Sequence, residues 1–217
     1  PCTLPAEGSM NKYIAEFIGT FFLVLTIGCT VMAGGTGVIP PLAIGSALMV
    51  MIYAGGHVSG AHFNPAVTLA VFLRGRCPAG DVLPYMGAQM IAGLAAAAVA
   101  SFLRPGFVAH AVSADFARVA VAEVLYTFAL AYVVLNVATS KDTLGNSYFG
   151  LAIGFTVLSG AFAVGDISGG AFNPAVAVGA ASLGFITWRI LWLHVLADLA
   201  GGALAAIAFK TLNPGDK

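Results

Sequence analysis

A twelve-residue stretch at 56–67, GHVSGAHFNPAV, returns as GDISGGAFNPAV at 165–176. It does not return alone. AEFIGTFFL from Ala15 comes back as AEVLYTFAL from Ala122, and LAIG at 42–45 comes back at 151–154. The offset is 107 residues at the first match and 109 at the other two. Three matches in one order at nearly one spacing mark an internal duplication, and a duplicated chain must fold as two copies of one unit.

Each copy carries three long apolar runs. Crossing a bilayer takes about 20 mostly apolar residues. Six runs qualify, at about 12–33, 39–56, 81–103, 117–138, 147–164 and 188–210. Charged residues make up 8% of the chain and hydrophobic ones 59%; a soluble domain carries roughly 25% charged residues, so this chain cannot coat a water-facing globule. A first copy at about 12–104 and a second at about 117–210 form one domain at 12–212, with tails at 1–11 and 213–217.

An odd number of crossings per copy makes the second copy enter from the opposite face, giving an inverted repeat. Two shorter apolar stretches, 64–73 and 173–182, each open on Asn-Pro. Proline suits the first turn of a helix, so both read as half-helices that enter from opposite sides and meet near the midplane. Non-helical backbone at that depth survives only inside protein or beside a wet cavity. The glycine-rich segments before them should therefore line a passage. The fold class is an all-α membrane protein of six transmembrane helices and two re-entrant half-helices. Lys12, Arg74, Arg76, Lys141, Lys210 and Lys217 fall on the side of the termini and Arg104, Arg118 and Arg189 on the other; the positive-inside rule then places both ends in the cytoplasm of a multi-pass cell-membrane protein.

Asn64-Pro65-Ala66 and Asn173-Pro174-Ala175, each behind Ser-Gly and each on a half-helix of a duplicated six-span frame, resemble the paired signature of the aquaporins, or major intrinsic proteins. The resemblance spans about residues 12–210 and implies a homotetramer with one passive pore per subunit. The residue chemistry points the same way. Two half-helices present their positive ends at Asn64 and Asn173. Each amide offers two N–H donors, so a passing water or hydroxyl accepts through its oxygen and turns its own hydrogens away along the pore, which interrupts proton hopping. The positive helix ends also repel cations. Acceptors come from the carbonyls of Gly60, Ala61 and His62 on one side and Gly169, Gly170 and Ala171 on the other.

The chain departs from the family at one position. Most similar aquaporins carry arginine after the second Asn-Pro-Ala; here it is Val176. The other three filter positions, carried over by distance from the motifs, fall on Ile44, Ala161 and Gly170. This filter is small, apolar and uncharged, which predicts passage of glycerol, urea, ammonia or metalloid hydroxides such as arsenous acid besides water. Glycerol-conducting relatives usually have aspartate next, where this chain has Ala177. A mainly water-selective pore is the alternative, and an ion-coupled secondary transporter a more distant one.

Inside the spans, Glu16 and Glu123 occupy matched places, and the resemblance suggests that they hold the pore loops. Asp198 falls opposite Gln89 in the repeat, where many relatives have proline; a loop amide, His194 or a neighbouring subunit could partner it. The four histidines, His57, His62, His110 and His194, and the three cysteines, Cys2, Cys29 and Cys77, form no set with metal-ligand spacing. No nucleophile–base pair, cofactor motif or enzyme chemistry is evident. A net charge of zero offers no basic surface to nucleic acid. The partners expected are water, small uncharged solutes and the lipid bilayer.

Overall fold

The computed structural model describes residues 9–34, 37–108, 111 and 115–216. Cys2, His110 and Lys217 lie outside the described residues. Among the described residues eight α-helices follow in order: α1 (Met10–Met32), α2 (Ile39–Ser59), α3 (Pro65–Arg74), α4 (Ala79–Leu103), α5 (Phe116–Val134), α6 (Phe149–Ser168), α7 (Pro174–Ser182) and α8 (Leu191–Leu212). Six are long and apolar enough to cross a membrane; α3 and α7, of 10 and 9 residues, are the half-helices. The described residues form no β-strand.

Burial is inverted relative to a soluble protein. Leu83, Ile91, Phe102 and Ile207 are 77, 62, 83 and 61% exposed, whereas Glu16, Gln89, Glu123, Thr127, His194 and Asp198 are fully buried. Apolar side chains on the outside suit lipid, and polar groups in the interior are costly unless they find partners.

The two copies pack alike. α1 lies against α4 in the first and α5 against α8 in the second, and α2 meets α6 across the pseudo-two-fold axis. That crossing rests on glycine: a Cβ on Gly45 would lie 2.7 Å from the Gly154 carbonyl oxygen, and one on Gly154 would lie 2.5 Å from that of Gly45. Each half-helix is seated against a helix of the other copy, α3 on α8 and α7 on α4. The seats are again matched glycines, Gly202 against the Ala66 carbonyl and Gly93 against that of Ala175, and a Cβ on either would come 2.5 Å from the oxygen. Small residues thus let backbones touch where lipid supplies no hydrophobic force between helices.

Several boundaries differ from the sequence reading. α2 runs to Ser59 and α6 to Ser168, three and four residues past the expected ends. The helices continue through Gly55, Gly56 and Gly165 and stop where Gly60 and Gly169 adopt left-handed caps at φ 86° and 90°, a conformation that glycine takes without steric cost. His57 is therefore in the last turn of α2 and does not share the loop of His62. α5 continues into one π turn, Leu135–Thr139. α1 starts at Met10, inside the segment read as a tail, and Lys12 is buried in an ion pair with Asp81 at 2.6 Å. The C-terminal tail folds back as well: Asp216 accepts from Arg74 at 2.8 Å and from the Lys141 backbone N–H at 3.0 Å.

Candidate functional site

The two Asn-Pro-Ala segments meet at the centre. Asn64 and Asn173 are extended residues preceding α3 and α7, with proline at the first helical position of each. The Asn64 Oδ1 accepts from the N–H of Ala66 at 2.8 Å, and the Asn173 Oδ1 from that of Ala175 at 2.9 Å. The asparagines are thus helix caps. Their amide nitrogens do something that capping does not require. Asn64 Nδ2 donates to the Phe172 carbonyl at 2.8 Å, and Asn173 Nδ2 donates to the Phe63 carbonyl at 2.9 Å. Each copy therefore holds the loop of the other, and each amide keeps one further N–H.

Those carbonyls are aimed by unusual backbone. Phe63 and Phe172 both have φ 49°, Ala61 has φ 51°, and its counterpart Gly170 has φ 61°. A left-handed phenylalanine is costly and persists where its surroundings over-determine it. Here the surroundings are two buried carboxylates. Glu16 accepts from the N–H of His62 at 2.9 Å and of Phe63 at 2.6 Å, from Ser59 Oγ at 2.6 Å and from Gln89 Nε2 at 2.8 Å. Glu123 accepts from the N–H of Ala171 at 3.1 Å and of Phe172 at 2.7 Å. Asp198 accepts from Thr127 Oγ1 at 2.9 Å.

A second tier of matched residues escaped the sequence reading. Tyr85 donates to the Ser59 carbonyl at 2.8 Å, and His194 Nε2 lies 2.9 Å from the Ser168 carbonyl. Ser59 Oγ and Ser168 Oγ accept from the N–H of Ala61 and of Gly170, both at 3.1 Å. Tyr85 and His194 stand 109 residues apart, as do Ser59 and Ser168, so the repeat spacing applied to every polar residue would have found them.

Beside the asparagines runs a cavity of about 290 Å³, far above the roughly 10–15 Å³ that a single water requires. Its lining residues come from both ends of the bundle, with Val31 and Pro41 near one face and Val134 and Ile153 near the other. Asn64, Asn173, Ala61, His62, Gly169 and Ala171 line it, and so do Ile44, Ala161, Gly170 and Val176. Gly60 is not among the lining residues; the His62 ring lies over it, with Nε2 at 3.5 Å from where a Cβ would stand. No Lys, Arg, Asp or Glu side chain lines the cavity among the described residues, and His62, held by Thr68 Oγ1 at 3.1 Å, is its titratable group. Glu16, Glu123, Gln89 and Asp198 stand behind the loops, away from it. The described residues hold no group of three or more His, Cys, Asp or Glu suited to a metal ion.

The family model described as major intrinsic protein matches residues 4–209. The chain belongs to the major intrinsic protein family. It is 39% identical over 220 residues to Aquaporin NIP1-3 of Oryza sativa subsp. japonica, covering 95% of this chain and 75% of that one. It is 38% identical over 217 residues to the Glycerol uptake facilitator protein-like 6 of Lactiplantibacillus plantarum, covering 95% of this chain and 100% of the relative. Its fold matches the aquaglyceroporin of Plasmodium falciparum with a TM-score of 0.80 at 22% identity, over 94% of this chain and 97% of that one. This major intrinsic protein is accordingly a multi-pass membrane channel and not an enzyme.

Proposed function

We propose that this channel passes water and uncharged solutes larger than water, through a constriction formed by Ile44, Ala161, Gly170 and Val176. One observation carries the reading: these four positions line the same cavity as Asn64 and Asn173, and no fixed cation or aromatic ring stands among the four. Small apolar walls leave a wide bore. Stripping water from a hydroxyl without replacement costs about 1–3 kcal/mol, and a wide bore lets a solute keep part of its hydration. The carbonyls of the two loops offer acceptors along the rest of the path, and the second N–H of each asparagine offers a donor to an oxygen in transit. Glycerol, urea, ammonia and arsenous acid fit this description, and the name of the Lactiplantibacillus relative accords with the first.

The test is Val176→Arg in proteoliposomes, with stopped-flow measurement of water, glycerol and urea. Solute flux falls much further than water flux if Val176 is part of the filter. Equal loss of all three would refute the filter assignment, and a wild-type protein that conducts water alone would refute the wider selectivity.

Both termini are proposed to face the cytoplasm of the cell membrane. The support is that Arg74, Arg76, the Lys141 backbone and Lys210 gather on one face, around Asp216 and the end of α3; protease access to a C-terminal tag in oriented vesicles decides it. The tetramer is proposed from family membership and is tested by crosslinking in detergent.

A further inference from the structure

The two copies complete their buried carboxylates differently. Behind the first loop, Glu16 Oε2 accepts from the Gln89 side-chain amide at 2.8 Å. Behind the second loop, the residue 109 positions on from Gln89 is Asp198, fully buried like Glu123. Glu123 takes the N–H of Ala171 on one oxygen and that of Phe172 on the other. Asp198 Oδ1 accepts from Thr127 Oγ1 at 2.9 Å, while Oδ2 meets no donor among the described residues. Yet Asp198 and Glu123 are neighbours: Thr127, which donates to Asp198, is one turn past Glu123 on α5, and His194, one turn before Asp198 on α8, stands 4.0 Å from Glu123 Oε1.

Two ionised carboxylates can only accept hydrogen bonds. Side by side and out of water they would repel, and Oδ2 would be left without a donor. The other polar groups around Asp198 supply no donor to Oδ2 among the described residues. From α8 itself comes His194, whose Nε2 lies 2.9 Å from the Ser168 carbonyl and 4.0 Å from Glu123 Oε1, with Nδ1 at 3.2 Å from the Ile190 carbonyl. From α5 come Glu123 and Thr127. From the loop, no backbone N–H among the described residues satisfies Oδ2. A single proton on Oδ2 resolves both the repulsion and the missing donor.

We propose that Asp198 is a protonated acid whose Oδ2–H donates to the Glu123 carboxylate, taking the place of the Gln89 amide and positioning the loop that carries Gly170. Glu123 is the ionised member because each of its oxygens already accepts a backbone N–H. Asp198 is therefore a positioning residue, acting on the passage through Glu123 and the N–H groups of Ala171 and Phe172. The assignment holds whichever solute passes. At alkaline pH, loss of this proton sets a second anion beside Glu123 and loosens the loop, so flux falls; no such step exists in the first copy, where the donor is an amide.

The experiment is infrared spectroscopy of the full chain in liposomes, with and without aspartate carrying ¹³C in its carboxyl group, alongside stopped-flow flux from neutral to alkaline pH. A protonated-carboxyl carbonyl band at neutral pH that shifts with the aspartate label, and is lost in Asp198→Asn, is the expected result. Asp198→Asn, which keeps an N–H donor, retains the neutral-pH flux and removes the alkaline fall. Asp198→Leu, which cannot donate, lowers flux or the yield of folded protein. A wild-type band that ignores the label, a band that survives in Asp198→Asn, or a leucine variant that conducts as well as the asparagine variant would overturn the proposal. The labelled wild-type spectrum decides the protonation without requiring any variant to fold.

Discussion

Replacing Glu16 by glutamine preserves the shape of the side chain and converts one of its two acceptors into a donor. Four donors converge on the native carboxylate, two on each oxygen. If the new amide nitrogen takes the place of Oε2, it confronts the Phe63 N–H and Gln89 Nε2. Gln89 recovers by flipping, since its own Oε1 has no partner among the described residues, though the flip gives up its bond to Thr68 Oγ1. The Phe63 N–H has no such freedom, because its residue is held at φ 49° and its carbonyl is tied to Asn173. The opposite placement of the amide orphans the His62 N–H instead. One buried unpaired N–H costs about 1–3 kcal/mol, and the two bonds on the remaining oxygen drop from charge-assisted to neutral strength at roughly 1 kcal/mol each. The expected loss is about 3–5 kcal/mol. For a chain of this size 1 kcal/mol moves the melting temperature by about 2–4 °C, so Glu16→Gln should melt roughly 6–20 °C below wild type on the same scale. Thermal unfolding in detergent micelles measures this directly. A variant melting within about 2 °C of wild type would show that the Phe63 amide has another acceptor, and that the loop does not depend on Glu16.

Three other perturbations follow from the same contacts. Gly202→Ala drives a Cβ to 2.5 Å from the Ala66 carbonyl, backbone against backbone; overpacking of this kind costs about 1–3 kcal/mol, and the displaced half-helix should lower water flux. Gly87→Ala, with nothing within 4 Å of the added carbon, is the control that should leave flux unchanged, and equal behaviour of the two would remove the seating argument. At the C-terminus, desolvation pushes the Asp216 carboxyl up, but the Lys141 amide, the Ser140 hydroxyl and Arg74 together outweigh it and hold it below its ordinary value. A depressed native value means that the tail clasp stabilises fully above the ordinary carboxylate range and is lost as pH falls through the native one. Wild type should therefore lose melting temperature in acid more steeply than Asp216→Asn, and parallel acid profiles would refute the clasp. Val176→Arg should restrict solutes more than water, as stopped flow would report.

Much of the architecture was legible because it is written twice. The apolar runs gave the six spans, and the recurrence of Asn-Pro-Ala at one spacing gave the half-helices with their proline starts. What was not legible has physical reasons. The ends of α2 and α6 were read too early because Gly55, Gly56 and Gly165 look like loop residues, yet a helix packed among others tolerates glycine and stops only where a left-handed cap is needed. The reciprocal bonds from Asn64 to Phe172 and from Asn173 to Phe63 depend on the left-handed phenylalanines, a conformation that no local pattern announces. Thr127, which donates to Asp198, is a partner the sequence did not suggest; it lies 71 residues away in the chain, and only the packing of α5 on α8 brings it there. Cation positions were visible in the sequence, but the burial of Lys12 and the fold-back of Asp216 were not, since both depend on which helix ends become neighbours.

The geometry at the centre also bears on how such a chain can move solutes. Inverted repeats serve both channels and transporters, and a transporter alternates access by rocking one repeat against the other around a fixed site. In this chain the repeats are joined where rocking would require freedom. Asn64 and Asn173 each donate across the repeat boundary, with both acceptors on the opposing loop. Each half-helix sits against a glycine of the other copy, at Gly202 and at Gly93, and the Gly45–Gly154 crossing closes the middle. To rotate one copy would break two buried hydrogen bonds, at about 1–3 kcal/mol for each group left unpaired, and drive close-packed backbones into one another. Of the carboxylates that could bind a driving proton, Glu16 and Glu123 hold the loops and Asp198 meets Thr127 of α5, and none of the three lines the cavity. A rigid frame with its charges turned away from the lumen suits downhill flow through an open path, and imposing a proton gradient on proteoliposomes should leave the direction and extent of solute equilibration unchanged.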